Sequence, residues 1–273
     1  MKKKKYNNKQ RGSLFSMQNK TVAIFGGAGK LGEEFAKTLS FYGANVYLLD
    51  IKTKPNKNPK TFYLKCDVQK QSSINSAFEK ILKKEKKIDV VIYNVYSKPK
   101  NYYKSFENYD LKTWKKVIDS NLTGAFLVSQ TAIKKFIKDK IKGNIIFLSS
   151  TYGVVGPDPS IYEGLKSKKN IYGGKFALNT PASYSSTKTG LIGLAKYVAT
   201  NFGKHNIRAN VLSPGGVFDN QEKKFVKKYK SKVPLKRMAN WSDYNGAILF
   251  LSSEASNYMT GSNLVIDGGW TAW

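Results

Sequence analysis

Short runs of consecutive apolar residues alternate with segments of helical spacing along almost the whole chain. Thr21 to Phe25, Val46 to Leu49, Phe62 to Leu64, Val90 to Tyr93, Asn144 to Leu148, Ile207 to Leu212 and Asn263 to Ile266 are β-rich and too short for buried helices. Between them, Leu31, Phe35, Leu39 and Tyr42 recur on one helical face. Ile74, Ala77, Phe78, Ile81 and Leu82 do the same at i, i+3, i+4, i+7 and i+8. A long helix is expected over Leu111 to Lys138, and others over Ser183 to Phe202 and Asp243 to Leu251. Strands that are apolar throughout must be covered on both faces, which requires a parallel sheet between helix layers. The expected fold is therefore α/β: a single Rossmann-type doubly wound parallel sheet of about seven strands, with ligands at the carboxyl ends of the strands.

Residues 19–273 read as one nucleotide-binding domain. Residues 1–18 read as a basic, disordered tail, because residues 1–20 carry seven basic side chains and no acid. The basic start is followed by no apolar stretch, so it is not a secretory signal, and Met17 is a second candidate start. Residues 153–180 are rich in Gly, Pro, Tyr and Lys and read as an insertion.

The formal net charge of +29 raises nucleic acid as a partner, but only three of the 47 basic residues are Arg (Arg11, Arg208 and Arg237). Phosphate and base recognition favours the bidentate guanidinium, so no nucleic-acid partner is expected. No apolar run reaches the ~18 residues of a membrane span, and no membrane partner is expected. Residues 221–237 set eight basic side chains against Glu222, which suits either an anionic substrate or a solvated helix face. With one histidine, His205, and one cysteine, Cys66, no metal site, Ser–His–Asp triad or internal disulfide is expected, and the compartment is expected to be the cytoplasm. His205 reads as a surface residue and Cys66 as a small buried filler.

Gly26-Gly27-Ala28-Gly29-Lys30-Leu31-Gly32 lies between the first strand and the first helix. Gly27, Gly29 and Gly32 satisfy G-x-G-x-x-G, where the absence of Cβ lets backbone approach a diphosphate at a helix N-terminus. Asp50 follows Gly32 by 18 residues at the end of the second strand. An acid there accepts hydrogen bonds from ribose hydroxyls and repels a 2′-phosphate, so NAD is favoured. Lys30 and Lys52 leave NADP open, since either would neutralise that phosphate.

Tyr184 and Lys188 stand at i and i+4 of one helix and project from the same face. A phenol with reference pKa about 10 is a poor base at neutral pH. A neighbouring ammonium and an oxidised nicotinamide favour the phenolate, and lowering the pKa by ~3 needs about 4 kcal/mol.

These segments together resemble the short-chain dehydrogenase/reductases across residues 19–273. The resemblance rests on the glycine segment, Cys66-Asp67-Val68, Ser120-Asn121-Leu122-Thr123-Gly124, Ser149-Ser150-Thr151-Tyr152-Gly153, Tyr184 with Lys188, Asn210 to Gly215, and Gly261 to Gly269. It implies a tetrad of Asn121, Ser150, Tyr184 and Lys188. Tyr184 would be the general acid/base, and Lys188 would hold the nicotinamide ribose and lower the Tyr184 pKa. Ser150 would bond the substrate oxygen, and Asn121 would hold a water. Gly26, Gly27, Gly29, Leu31, Gly32, Asp50, Asp67, Val68, Asn94, Pro214, Gly215 and Val217, with Tyr184 and Lys188, would contact the dinucleotide. It also implies a homodimer or homotetramer paired through the helices at 111–138 and 183–202.

Three departures bear on the substrate. Phe25 replaces the usual threonine before the first glycine, and Tyr93-Asn94-Val95-Tyr96 keeps one asparagine of the family's Asn-Asn-Ala-Gly. Tyr96 in place of glycine narrows the floor near the nicotinamide. From Ser150 to Tyr184 is 34 residues, beyond the family's usual spacing, and the excess falls in residues 153–180. That insertion, with Ser213 to Val217, Arg237 to Asn240 and Asp267 to Gly269, is similar to bacterial flagellin-modification oxidoreductases of nonulosonic-acid pathways. The implied substrate is an amino sugar, sugar phosphate or nucleotide sugar, and is anionic. A sugar-nucleotide epimerase or dehydratase, and a non-catalytic nicotinamide-binding regulator on the same scaffold, are the alternatives.

Overall fold

Every residue of β1 (Thr21–Phe25), β4 (Val90–Tyr93) and β5 (Asn144–Leu148) is buried. Strands without a solvent face belong at the centre of a sheet covered on both sides. The computed structural model describes residues 14–55, 58–165 and 176–273. It forms one seven-stranded sheet in the order β3-β2-β1-β4-β5-β6-β7, with every pairing parallel. The remaining strands are β2 (Asn45–Asp50), β3 (Thr61–Lys65), β6 (Arg208–Pro214) and β7 (Asn263–Ile266). The chain winds outward from β1 to β3, then crosses back to β4, so the direction switches between β1 and β4. A crevice opens at such a switch, beyond the carboxyl ends of the strands.

The helices are α1 (Lys30–Phe41), α2 (Gln71–Glu85), α3 (Leu111–Ile118), α4 (Gly124–Lys138), α5 (Ala182–Phe202), α6 (Lys223–Lys232) and α7 (Asn245–Ser252). Alternate strand residues divide between two cores. Ala23, Val91 and Ile145 pack with Phe78 of α2, Val128 of α4 and Ala195 of α5. Ile24, Ile92 and Ile146 pack on the other face with Phe35 of α1 and Ile248 of α7.

The structure corrects two expectations. The helix expected over residues 111–138 is two helices joined by a π-helical turn, Asp119–Thr123. Apolar spacing cannot reveal one wide turn, because the stripe resumes on the same face. Here tertiary bonds hold it: the Tyr93 hydroxyl donates to the Ser120 carbonyl, and Asn121 Oδ1 accepts from Ser97 N at 3.1 Å. Such turns concentrate at functional sites. The second correction concerns the tail. Its described part is anchored at points: Met17 is fully buried, Met17 N donates to the Tyr42 carbonyl at 2.9 Å, and the Leu14 carbonyl accepts from Ala255 N at 3.1 Å. Burial of the apolar Met17 side chain outweighs the charge pattern there. The rest of the expected tail, residues 1–13, lies outside the described residues.

The described parts of the 153–180 segment carry a 3₁₀ turn, Pro159–Tyr162, whose Ile161 is buried among Phe225, Tyr229 and Trp270. Residues 166–175 lie outside the described residues. The lysines of α6 tie this segment down: Lys228 Nζ donates to the Ser160 carbonyl at 2.6 Å, and Lys232 pairs with Asp158 at 3.0 Å. Among the described residues, no helix is long and apolar enough to cross a membrane. His205 is exposed, and Cys66 is buried, which pushes its thiol up to about 11.

Candidate active site

β1 enters the glycine turn through Gly26, whose φ of +75° suits only a residue without Cβ. A Cβ there would also lie 2.7 Å from the Asn94 carbonyl carbon. Gly27 and Gly32 are equally crowded, with Leu48 Cα and the Gly27 carbonyl oxygen each 2.7 Å from where their Cβ would stand. These three glycines are required by packing. Gly29 differs: a Cβ there meets only the Gly26 carbonyl oxygen, at 3.6 Å. Gly29 is the N-cap of α1 and supplies no side-chain cap. Among the described residues, the first-turn N–H groups and the positive end of the helix dipole thus receive no side-chain cap from Gly29, an arrangement that fits a diphosphate.

The neighbouring strand ends carry the other expected contacts. Asp50 Oδ2 accepts from Ala28 N and Oδ1 from Lys52 N, each at 3.2 Å. Asn94 Nδ2 donates to the Gly26 carbonyl at 3.0 Å, tying β4 to the glycine turn. After β3, Asp67 N donates to Ser73 Oγ at 3.0 Å, and Val68 is buried at the foot of α4 beside Gly124. This row of acceptors and apolar walls suits a nucleoside and a diphosphate, so the residues present fit a dinucleotide.

α5 presents Tyr184 and Lys188 from its first two turns. Lys188 is 5% exposed; its Nζ donates to the Leu148 carbonyl at 2.6 Å and stands 5.7 Å from the centre of the Tyr184 ring. Burial lowers its pKa to about 8. Ser149 Oγ donates to the Lys188 carbonyl at 2.8 Å and so pins the helix to the end of β5. Ser150 is buried, and its Oγ accepts from Tyr152 N at 3.2 Å, an arrangement that leaves the hydroxyl proton to donate elsewhere. Asn121, in the π turn, spends Oδ1 on Ser97, while its buried Nδ2 has no hydrogen-bond partner among the described residues.

A cleft of about 330 Å³ brings together Leu31, Asn94, Ser150, Tyr184 and Lys188 with Pro214, Gly215 and Val217. The glycines of the turn, Asp50, Asp67 and Val68 are not part of its lining, and neither is Asn121. The Tyr96 ring meets Tyr184 edge-on at 5.3 Å, and the Tyr96 hydroxyl donates to Tyr102 at 2.8 Å. The narrowing expected at Tyr96 is therefore a wall of phenols beside Tyr184. Trp270, near the C-terminus, lines the cleft and stacks on Tyr229 at 4.8 Å. Tyr229 accepts from Gly216 N at 2.6 Å, and burial pushes its phenol up to about 12.

Sequence reasoning missed Lys98, Asp219 and Trp241, all of which line the cleft. Burial lowers the Lys98 pKa to about 8, with Asp219 pulling the other way. Lys98 follows β4 closely and Asp219 follows β6, so their positions just beyond strand ends were the available signal. Lys30, expected as a possible 2′-phosphate partner, pairs with Asp219, toward β6 and away from Asp50 on β2. Of the α6 side chains, Phe225 and Tyr229 reach the cleft lining and the lysines do not.

Comparison with known proteins agrees with this geometry. A family model described as short chain dehydrogenase matches residues 20–166, and one described as enoyl-(acyl carrier protein) reductase matches residues 169–271. The NADH-dependent L-xylulose reductase of Ambrosiozyma monospora is 28% identical, over 95% of this chain and 97% of that protein. Post-translational flagellin modification protein A of Campylobacter coli is 29% identical, over 93% and 99%. A short chain dehydrogenase from Leptospira borgpetersenii, solved with bound NAD+, superposes with a TM-score of 0.83 at 33% identity, over 93% of each chain. Matches through both halves of the chain, on the expected sheet, make it a member of the short-chain dehydrogenase/reductase family, an oxidoreductase acting on CH–OH groups.

Proposed function

We propose that this chain interconverts a secondary alcohol and a ketone on a sugar, with NAD favoured over NADP. The sugar would be an amino sugar, sugar phosphate or nucleotide sugar on a route to surface glycans of the nonulosonic-acid type. The observation that carries the reading is the convergence of Ser150, Tyr184 and Lys188 on one cleft beside the glycine turn. A bound dinucleotide would supply or accept the hydride. Its diphosphate would rest on the first turn of α1 past Gly29, its adenosine ribose on Asp50, and its nicotinamide end near Pro214, Gly215 and Val217.

Tyr184 would pass a proton between its phenol oxygen and the substrate oxygen. Lys188, held by the Leu148 carbonyl, keeps a positive charge one helical turn away and favours the phenolate. Ser150 Oγ, with its acceptor side taken by Tyr152 N, donates to the substrate oxygen where negative charge develops. Asn121 Nδ2 would bond a water that relays the proton. Asp50 supports NAD. The phenol-rich wall formed by Tyr96, Tyr102 and Tyr152 suits a substrate with many hydroxyls. Lys98, which lines the cleft with Lys188, would meet an anionic group on the sugar.

Residues 19–273 would act as one nucleotide-binding domain with the insertion at 153–180 bordering the substrate. Exposed Phe126 on α4 and Tyr197 on α5 support pairing of those helices into a homodimer or homotetramer. A single buried cysteine suits the reducing cytoplasm. The test is nicotinamide absorbance, with both dinucleotides, against a panel of ketoses, amino-sugar phosphates and nucleotide sugars. Turnover with NADH on one sugar class is expected; bound nucleotide with no turnover across the panel would remove the sugar reading.

A further inference from the structure

A charged cluster crosses the mouth of the crevice. Lys30, the first residue of α1, pairs through Nζ with Asp219 Oδ1 from the loop after β6. The Lys30 ammonium also stands 5.6 Å from the centre of the Trp241 ring. The two partners differ in freedom. The Lys30 side chain is 61% exposed and that of Asp219 only 18%. The loop carrying Asp219 is fixed along its length: Gly215 N donates to the Ile266 carbonyl at 2.8 Å and Phe218 N to the Ala239 carbonyl at 2.8 Å. Asp219 N itself donates to Gln221 Oε1 at 2.7 Å. A largely buried carboxylate on a bonded loop thus pairs with an exposed ammonium.

We infer that Lys30 and Asp219 form an ion-pair strap across the dinucleotide crevice, in which Lys30 moves from Asp219 to the diphosphate when the dinucleotide binds. The inference rests on the dinucleotide reading of the glycine turn. Lys30 belongs to the same uncapped first turn whose N–H groups would receive the diphosphate, so its side chain starts within reach of that anion. Lys30 is the exposed half of the pair, and Lys98 remains a cation facing Asp219, so leaving Asp219 costs little. A diphosphate carries two negative charges against the single charge of Asp219, so the exchange is favourable. Asp219, held in place, then opposes the anion through like-charge repulsion. The strap therefore makes opposite predictions for its two halves: Lys30 aids dinucleotide binding and Asp219 restrains it.

The experiment is titration of NADH fluorescence on the full chain without substrate, at about 50 mM and about 200 mM salt. Lys30→Met is expected to raise the NADH Kd about five- to tenfold at low salt and less at high salt. Lys30→Arg should stay near wild type. Asp219→Asn is expected to lower the Kd about two- to fivefold, and to do so less in the Lys30→Met background. Thermal melts of each variant give the folding control. An unchanged Kd in Lys30→Met, or weaker binding in Asp219→Asn, overturns the strap alone. A wild-type chain that binds neither NADH nor NADPH overturns the dinucleotide reading, and the strap with it.

Discussion

Replacing Lys188 by Met would test whether the ammonium beneath the cleft is carried at a cost to the fold. The side chain is 5% exposed, and burial takes its pKa from an ordinary 10.5 to about 8. That drop corresponds to roughly 3 kcal/mol against the folded, charged state at neutral pH. The bond from Nζ to the Leu148 carbonyl, at 2.6 Å, returns about 1.5–3 kcal/mol as a bond from a charged donor. Met keeps an unbranched stem of similar length and brings neither effect. The variant is therefore expected to lie from equal in stability to about 2 kcal/mol more stable than wild type at pH 7.

The pH dependence is the sharper measurement. Because the folded pKa lies below the unfolded one, the unfolded chain binds more protons between pH 8 and 10.5, and wild-type stability rises with pH across that window. The Met variant lacks this rise, while titrations of groups remote from Lys188 are common to both chains and cancel. Urea unfolding at pH 7 and pH 9.5 should show wild type gaining about 2 kcal/mol relative to the variant. A difference that stays constant between the two pH values would mean that the ammonium is not desolvated in the folded protein. Turnover should fall in the variant even where its stability is higher, the usual opposition between a charged site and its fold.

Tyr184→Phe should keep dinucleotide affinity, read by fluorescence, and lower kcat about 10²- to 10⁴-fold; unchanged kcat would remove the phenol from proton transfer. Asp50→Ala should narrow the ratio of NADH to NADPH affinity, since it removes the acceptor that a 2′-phosphate repels; a ratio that does not move would cancel the ribose assignment. Two glycine variants separate packing from binding. Gly26→Ala combines a positive φ with a backbone contact at 2.7 Å and should cost roughly 2–4 kcal/mol in chemical denaturation. Gly29→Ala, whose added methyl meets nothing nearer than 3.6 Å, should melt near wild type yet bind the dinucleotide more weakly; equal losses of stability in both would refute the distinction.

Features that depend on neighbours in the chain were legible from the sequence. Alternation of apolar runs and helical stripes determined the doubly wound sheet, because a strand's side chains alternate every two residues and a helix's every 3.6. The same locality made the Gly26–Gly32 turn and the shared face of Tyr184 and Lys188 readable, since both lie within a few residues of backbone. The tertiary structure decided what depends on which loops meet beyond the strand ends. It converted the 111–138 helix into two with Asn121 on a π turn, because Tyr93 and Ser97 come from β4 and the loop after it. It packed Met17 under Tyr42, turned Lys30 toward Asp219, and carried Trp270 into the cleft against Tyr229. Each of these contacts joins residues far apart in the chain, so no window of sequence contains both partners, and only the folded sheet brings them within bonding distance.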